Sequence, residues 1–155
     1  MQPPEPGLLG CFLLLRLDGF EFDLVDLQHP ALLVRGEQLQ QVRKGNLLDG
    51  AAQAFSTRLP EVSVGGSLQS VVDQLPSGAC RLALDNYEAS DPLSRAEVSL
   101  PVALAAGPER GWSVEEREAL RGSGFTLVHL GERVLRVETA CVAAVAITKA
   151  RLDLL

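Results

Sequence analysis

Two stretches decide how this chain is read: Gly107-Pro108-Glu109-Arg110-Gly111 and Gly131-Glu132-Arg133-Val134-Leu135-Arg136-Val137-Glu138-Thr139-Ala140. Each opens with a glycine that closes an apolar run, residues 100–106 for the first and 125–130 for the second. Such runs read as buried strands. The earlier one is apolar on both faces, as a central parallel strand must be. Each turn then passes into a helix signal. Places where strands end and helices begin are where α/β proteins bind ligands.

In the first turn, Gly107 and Gly111 allow the backbone to approach a ligand closely, and Pro108 stiffens the path between them. Glu109 stays at the surface or accepts a hydrogen bond. Ser113 and Glu116 have the spacing of a capping box, so a helix starts there, and its first amides favour an anionic group. Taken alone, a connector that needs glycine only for its geometry accounts for this turn. The second turn carries Arg133, Arg136 and Glu138 just before residues 139–147, which are apolar all round. A helix over 138–152 with that composition is expected to be buried on every side. Arg136 and Glu138 at its mouth fit either a structural ion pair or the charged edge of a site.

Outward from these turns, residues 80–85 and 60–64 read as strands and 68–75 as a short helix ended by Pro76 and Gly78. Residues 37–44 and 47–55 have helical spacing of apolar side chains. Residues 11–17 and 20–27 read as strands joined at Asp18-Gly19, a hairpin signal, and a further strand is expected over 31–34. The three prolines among the first six residues predict a disordered tail. Strand–helix alternation predicts an α/β domain with a mainly parallel sheet. At 155 residues and 46% hydrophobic, the chain makes one domain with a real core. Residues 1–34 are expected to be a short N-terminal extension, and residues 35–155 the domain proper.

A formal net charge of −6 counts against a general nucleic-acid coat protein, which must displace counterions from phosphates. No DNA partner is expected. Cys11, Cys80 and Cys141 are far apart and form no C-x-x-C, and the 2 histidines add no zinc pattern, so no metal is expected. Buried reduced thiols fit a cytosolic protein. Leu8-Leu9-Gly10-Cys11 lacks the basic start and apolar lead of a lipoprotein leader, and the run 8–15 is too short to span a bilayer. A soluble, cytoplasmic protein with no membrane contact is expected.

The two turns also resemble a known family. Gly107-Pro108-Glu109-Arg110-Gly111-Trp112-Ser113, with Glu116, is similar to the pattern G-P-E-G-G-[FW]-[ST]-x-x-E of the RsmE-type ribosomal RNA methyltransferases, members of the SPOUT superfamily. Gly124-Phe125 follows, and then Leu130 through Ala140 is similar to the family's L-G-x-R-[IV]-L-R-x-E-T-A. Two long motifs in the family's order and spacing are a specific signal. Upstream, Ala51-Ala52-Gln53-Ala54-Phe55-Ser56-Thr57-Arg58-Leu59-Pro60-Glu61-Val62 resembles the family's E-A-A-E-Q-S-x-R-x-x-x-P-E-V segment. Residues 35–45 look like the opening of its methyltransferase domain.

The resemblance implies a SPOUT-type α/β fold, its mainly parallel sheet flanked by helices and its C-terminus tied in a deep trefoil knot. It implies a homodimer that methylates N3 of a uridine in 16S ribosomal RNA, with S-adenosyl-L-methionine as cofactor and the small ribosomal subunit as partner. Leu84, Gly107, Pro108, Glu109, Gly111, Leu130, Gly131, Leu135, Arg136, Thr139 and Ala140 would bind the cofactor. Arg136 and Glu138 would be catalytic, orienting uracil or assisting loss of its N3 proton.

The chain departs from the family pattern in places. Arg110 replaces the first of the paired glycines, and Val137 stands where threonine is common. A strand and loop present in relatives are expected to be missing between Lys44 and Ala51. Residues 1–34 are too few for the N-terminal PUA-like barrel of relatives, so that domain is expected to be lacking. The alternative reading is a catalytically impaired or non-catalytic paralogue, a knotted dimer that binds cofactor or RNA.

Overall fold

The computed structural model describes residues 12–18, 21–27, 62–64, 68–108 and 110–154. Seven strands form one sheet: β1 (Phe12–Asp18), β2 (Glu21–Leu27), β3 (Val62–Val64), β4 (Cys80–Leu84), β5 (Asp91–Pro92), β6 (Val102–Ala106) and β7 (Thr126–His129). Its order is β3-β2-β1-β6-β4-β7-β5. From β6 outward through β4, β7 and β5 every pairing is parallel. On the other side β1 runs antiparallel to β6 and forms an antiparallel hairpin with β2, as Asp18-Gly19 predicts. The hairpin is thus continuous with the parallel half of the sheet.

β6 is the central strand, with all of its residues buried. Its side chains alternate between two cores. Ala103 and Ala105 join Ala83 and Leu127 on one face, under Val71, Val72, Trp112, Leu120 and Phe125. Val102 and Leu104 join Leu82 and Val128 on the other, under Leu93 and Ala144. Small residues on the first face leave room for an indole and a phenyl ring. Parallel strands need cover on both sides. The first face is covered by α1 (Leu68–Val72) and α2 (Val114–Gly122). The second is covered by α3 (Val137–Arg151) and the 3-10 turn Leu93–Arg95.

The capping box that starts α2 is formed on both sides. Ser113 Oγ accepts the Glu116 N–H at 3.2 Å, and a Glu116 carboxylate oxygen accepts the Ser113 N–H at 2.7 Å. One chain does not by itself bury α3 on every side: of its residues only Ala144 and Thr148 are buried here, and Val142 is 72% exposed. The helix is apolar all round, yet one chain covers only one of its faces. β5 and the 3-10 turn have no strong sequence signal and were not anticipated. The predicted tail, the strand over 31–34 and the helices over 37–44 and 47–55 lie outside the described residues. No helix among the described residues is long and apolar enough to cross a membrane.

Candidate functional site

β4, β6 and β7 are parallel, so their carboxyl ends emerge on one edge of the sheet, where open α/β sheets hold their ligands. A cleft lies there. Leu84 ends β4, Ala106 ends β6, Leu130 follows β7, and all three line it. Its enclosed part measures about 80 Å³. That is below the ~300–1,000 Å³ of typical ligand pockets, so a cofactor-sized ligand would also occupy the open mouth.

The first glycine turn makes one wall through Gly107, Pro108 and Gly111. The Gly111 N–H donates to the Pro108 carbonyl at 2.8 Å and closes the turn. Trp112 is buried beside it and donates its indole N–H to the Leu84 carbonyl at 2.7 Å. A Cβ on Gly107 would lie 2.8 Å from the indole, so only glycine admits the ring there. Gly111 has a φ of +77°, and a Cβ on it would meet the Tyr87 ring at 3.0 Å. Arg110 is not among the residues that line the cleft. Its guanidinium pairs with Glu116 at 2.8 and 3.3 Å, joining the turn to the capping box.

The second turn contributes Leu130, Val134, Leu135, Val137 and Ala140. Of the sequence-predicted cofactor residues, Leu84, Gly107, Pro108, Gly111, Leu130, Leu135 and Ala140 therefore meet in one cleft. Gly131, Arg136 and Thr139 do not line it. Gly131 shapes the turn instead, with a φ of +131° and its N–H donated to His129 Nδ1 at 3.1 Å. Glu109 lies outside the described residues. Arg136 occupies the N-cap position of α3, and its carbonyl accepts the Ala140 N–H at 2.8 Å. Its side chain and that of Glu138 are exposed, and among the described residues no ion pair joins the two. One turn along the helix, burial and then the Glu138 charge push the Cys141 thiol up to about 11, which keeps it protonated and unreactive near neutrality.

Sequence reasoning missed a buried network beside the cleft. Asp85, 3% exposed, follows the last residue of β4 and lines the cleft. One of its oxygens accepts the N–H groups of Tyr87 and Glu88 at 2.7 and 2.6 Å, and the other accepts Arg117 Nε at 2.6 Å. Burial alone would raise this carboxyl. The backbone N–H of Glu88, the Arg117 guanidinium and the N–H of Tyr87 together outweigh it and hold the group below its ordinary value. Arg117 also lies 3.5 Å from Glu88 and 5.4 Å from the centre of the Tyr87 ring. The available signal was an aspartate directly after an apolar strand, together with an arginine three residues before Leu120 on the inner face of α2.

Comparison with known proteins places this geometry in context. Residues 32–149 match the family described as RNA methyltransferase domain. Ribosomal RNA small subunit methyltransferase E of Treponema pallidum (strain Nichols) is 36% identical over 110 residues, covering 67% of this chain and 41% of that protein. Ribosomal RNA small subunit methyltransferase E 1 of Borreliella burgdorferi is 26% identical over 109 residues, covering 69% of this chain and 45% of that protein. The chain thus spans less than half the length of these curated relatives. Among solved structures, ribosomal RNA small subunit methyltransferase E from Neisseria gonorrhoeae, bound to S-adenosyl methionine, shares the fold. Its TM-score is 0.68 at 24% identity, over 81% of this chain and 52% of that one. A Legionella pneumophila protein assigned as a methyltransferase, solved with bound SAM, gives a TM-score of 0.57 at 26% identity, over 74% of this chain and 49% of that one. The family match takes in both glycine turns and every residue that lines the cleft, and by it this chain belongs to the RNA methyltransferase domain family, with RsmE-type enzymes as its relatives.

Proposed function

We propose that this chain is an RsmE-type methyltransferase that binds S-adenosyl-L-methionine in the cleft and methylates N3 of a uridine in 16S ribosomal RNA. The observation that carries the reading is the meeting of Leu84, the Gly107–Gly111 turn and the Leu130–Ala140 segment at the carboxyl ends of parallel strands. The residues present fit the cofactor. Apolar side chains and an indole suit an adenosyl group, and the glycines let it rest against backbone. Arg110, which replaces the first of the paired glycines, is engaged with Glu116.

The bound cofactor would supply an electrophilic methyl group on a sulfonium. The chain's own task is then to place a uracil nitrogen in line with that methyl group and to relieve it of its proton. Arg136 and Glu138 are assigned those roles. Both are exposed where the second turn enters α3, beside the cleft wall made by Leu135 and Val137. An arginine there would hold a uracil carbonyl oxygen by hydrogen bonds, and a carboxylate would accept the N3 proton. Glu109, Gly131 and Thr139 are assigned to cofactor binding on the family motifs alone.

The proposal includes a homodimer built on α3, in which the face that exposes Val142 packs against a second copy. It also includes a knotted C-terminus and a cytoplasmic location, where the small-subunit RNA is met. The test is calorimetric titration with S-adenosyl-L-methionine, followed by methylation of unmodified small-subunit RNA and mapping of the modified nucleotide. Heat of binding and a methyl group on uridine N3 are expected. A protein that takes up no cofactor, or that binds it and methylates nothing, would sink the assignment.

A further inference from the structure

Tyr87 is 70% exposed, yet it is fixed from several directions. Its backbone N–H donates to Asp85, its ring edge rests against Gly111, and the Arg117 guanidinium lies over the ring at 5.4 Å. Arg117 is itself held by Asp85 at 2.6 Å. An exposed aromatic side chain gains little by being held in one orientation unless something is to pack on it. The mount is also specific to the ring: Gly111 has no Cβ where Tyr87 needs the space. Tyr87 lines the cleft, and Arg117 does not.

We infer that Tyr87 is a stacking wall for the adenine of the cofactor, a binding residue outside both glycine motifs. The inference rests on the cofactor reading above. Tyr87, Leu84, Gly111 and Trp112 border the same cleft, and the aliphatic side chains of Leu130, Val134 and Leu135 line it too. A flat heteroaromatic group fits between an aromatic ring and aliphatic side chains. Adenine is the flat part of this cofactor. The target uracil must instead reach the methyl group from the side away from the sulfur, near Arg136 and Glu138. Arg117 draws π density toward one face of the ring, which favours an electron-rich purine on the other.

The test is calorimetric titration of the whole chain, as wild type, Tyr87→Ala and Tyr87→Phe, with S-adenosyl-L-methionine and separately with adenosine. Tyr87→Ala is expected to weaken both ligands by on the order of 10-fold or more, the usual loss when a base loses its stacking partner. Tyr87→Phe is expected to restore the affinity, and the ligand-free melting temperature is expected to stay put because the side chain is exposed. Unchanged cofactor affinity in Tyr87→Ala would overturn the inference and leave the methyltransferase reading standing. Unchanged cofactor affinity with a raised KM for RNA would reassign the wall to uracil, which also overturns it. A wild-type chain that binds no cofactor would remove both proposals.

Discussion

The indole N–H of Trp112 donates to the carbonyl of Leu84 at 2.7 Å and ties the first glycine turn to the end of the neighbouring strand. Both residues line the cleft, so the bond ties its two walls together. Trp112→Phe keeps an aromatic ring but loses the donor. It is expected to cost about 1 kcal/mol for the hydrogen bond, plus the packing of the missing ring. Denaturant unfolding measures this combined loss, and weaker binding of S-adenosyl-L-methionine would report a displaced turn.

Gly107 makes room for that indole. A Cβ there would lie 2.8 Å from a ring that is buried and hydrogen-bonded, so it cannot swing aside. Gly107→Ala is expected to destabilise the chain by ~1–3 kcal/mol, as other overpacked cores do. A variant that melts with the wild type would show that the turn accommodates the methyl group.

Asp85 makes stability depend on acid. Its carboxyl is held below the ordinary value in the folded chain, so its contribution is fully present above the unfolded value of ~3.9. That contribution is lost as pH falls through the folded value. Asp85→Asn is expected to flatten this part of the acid limb and to lower stability at neutral pH by about 3 kcal/mol, because Arg117 stays buried without its carboxylate. Urea unfolding between neutral and acid pH reads both effects.

Arg110 pairs with Glu116 at the surface, with its own side chain 45% exposed. Such a pair contributes less than ~1 kcal/mol. Arg110→Ala is therefore expected to melt within a few degrees of wild type and to bind cofactor equally well. A large gain in affinity on replacing Arg110 would show that its side chain does obstruct the site.

Val142 stands on the uncovered face of α3, 72% exposed. If that face joins two copies, Val142→Glu buries a charge in the interface and the variant is expected to run as a monomer in light scattering. An unchanged mass for wild type and variant would remove α3 from the interface.

The sequence made the layers of this fold readable where patterning was strong. β6 is apolar on both faces and lies at the centre of the sheet. The Ser113–Glu116 spacing marks the start of α2, and Asp18-Gly19 marks the hairpin. Leu84, both glycine turns and Leu130 carried the cleft, because glycine at a strand end leaves a trace in the sequence. Asp85, Tyr87 and Arg117 left a weaker one, an aspartate after an apolar strand and an arginine on the inner face of α2. Their association joins residues 32 apart in the chain, through a loop between β4 and β5 that has no periodicity to read. The cover of α3 was illegible for a different reason. Composition says that a face is apolar but not which molecule covers it.

One consequence of the cleft's make-up is optical. The chain has a single tryptophan and a single tyrosine, and both border this cleft. Its near-ultraviolet absorption and emission therefore come from the two sides of the site, with the phenylalanines adding little. A purine entering between them would quench or shift that light. The unlabelled protein is its own reporter of occupancy, and a titration needs only a cuvette.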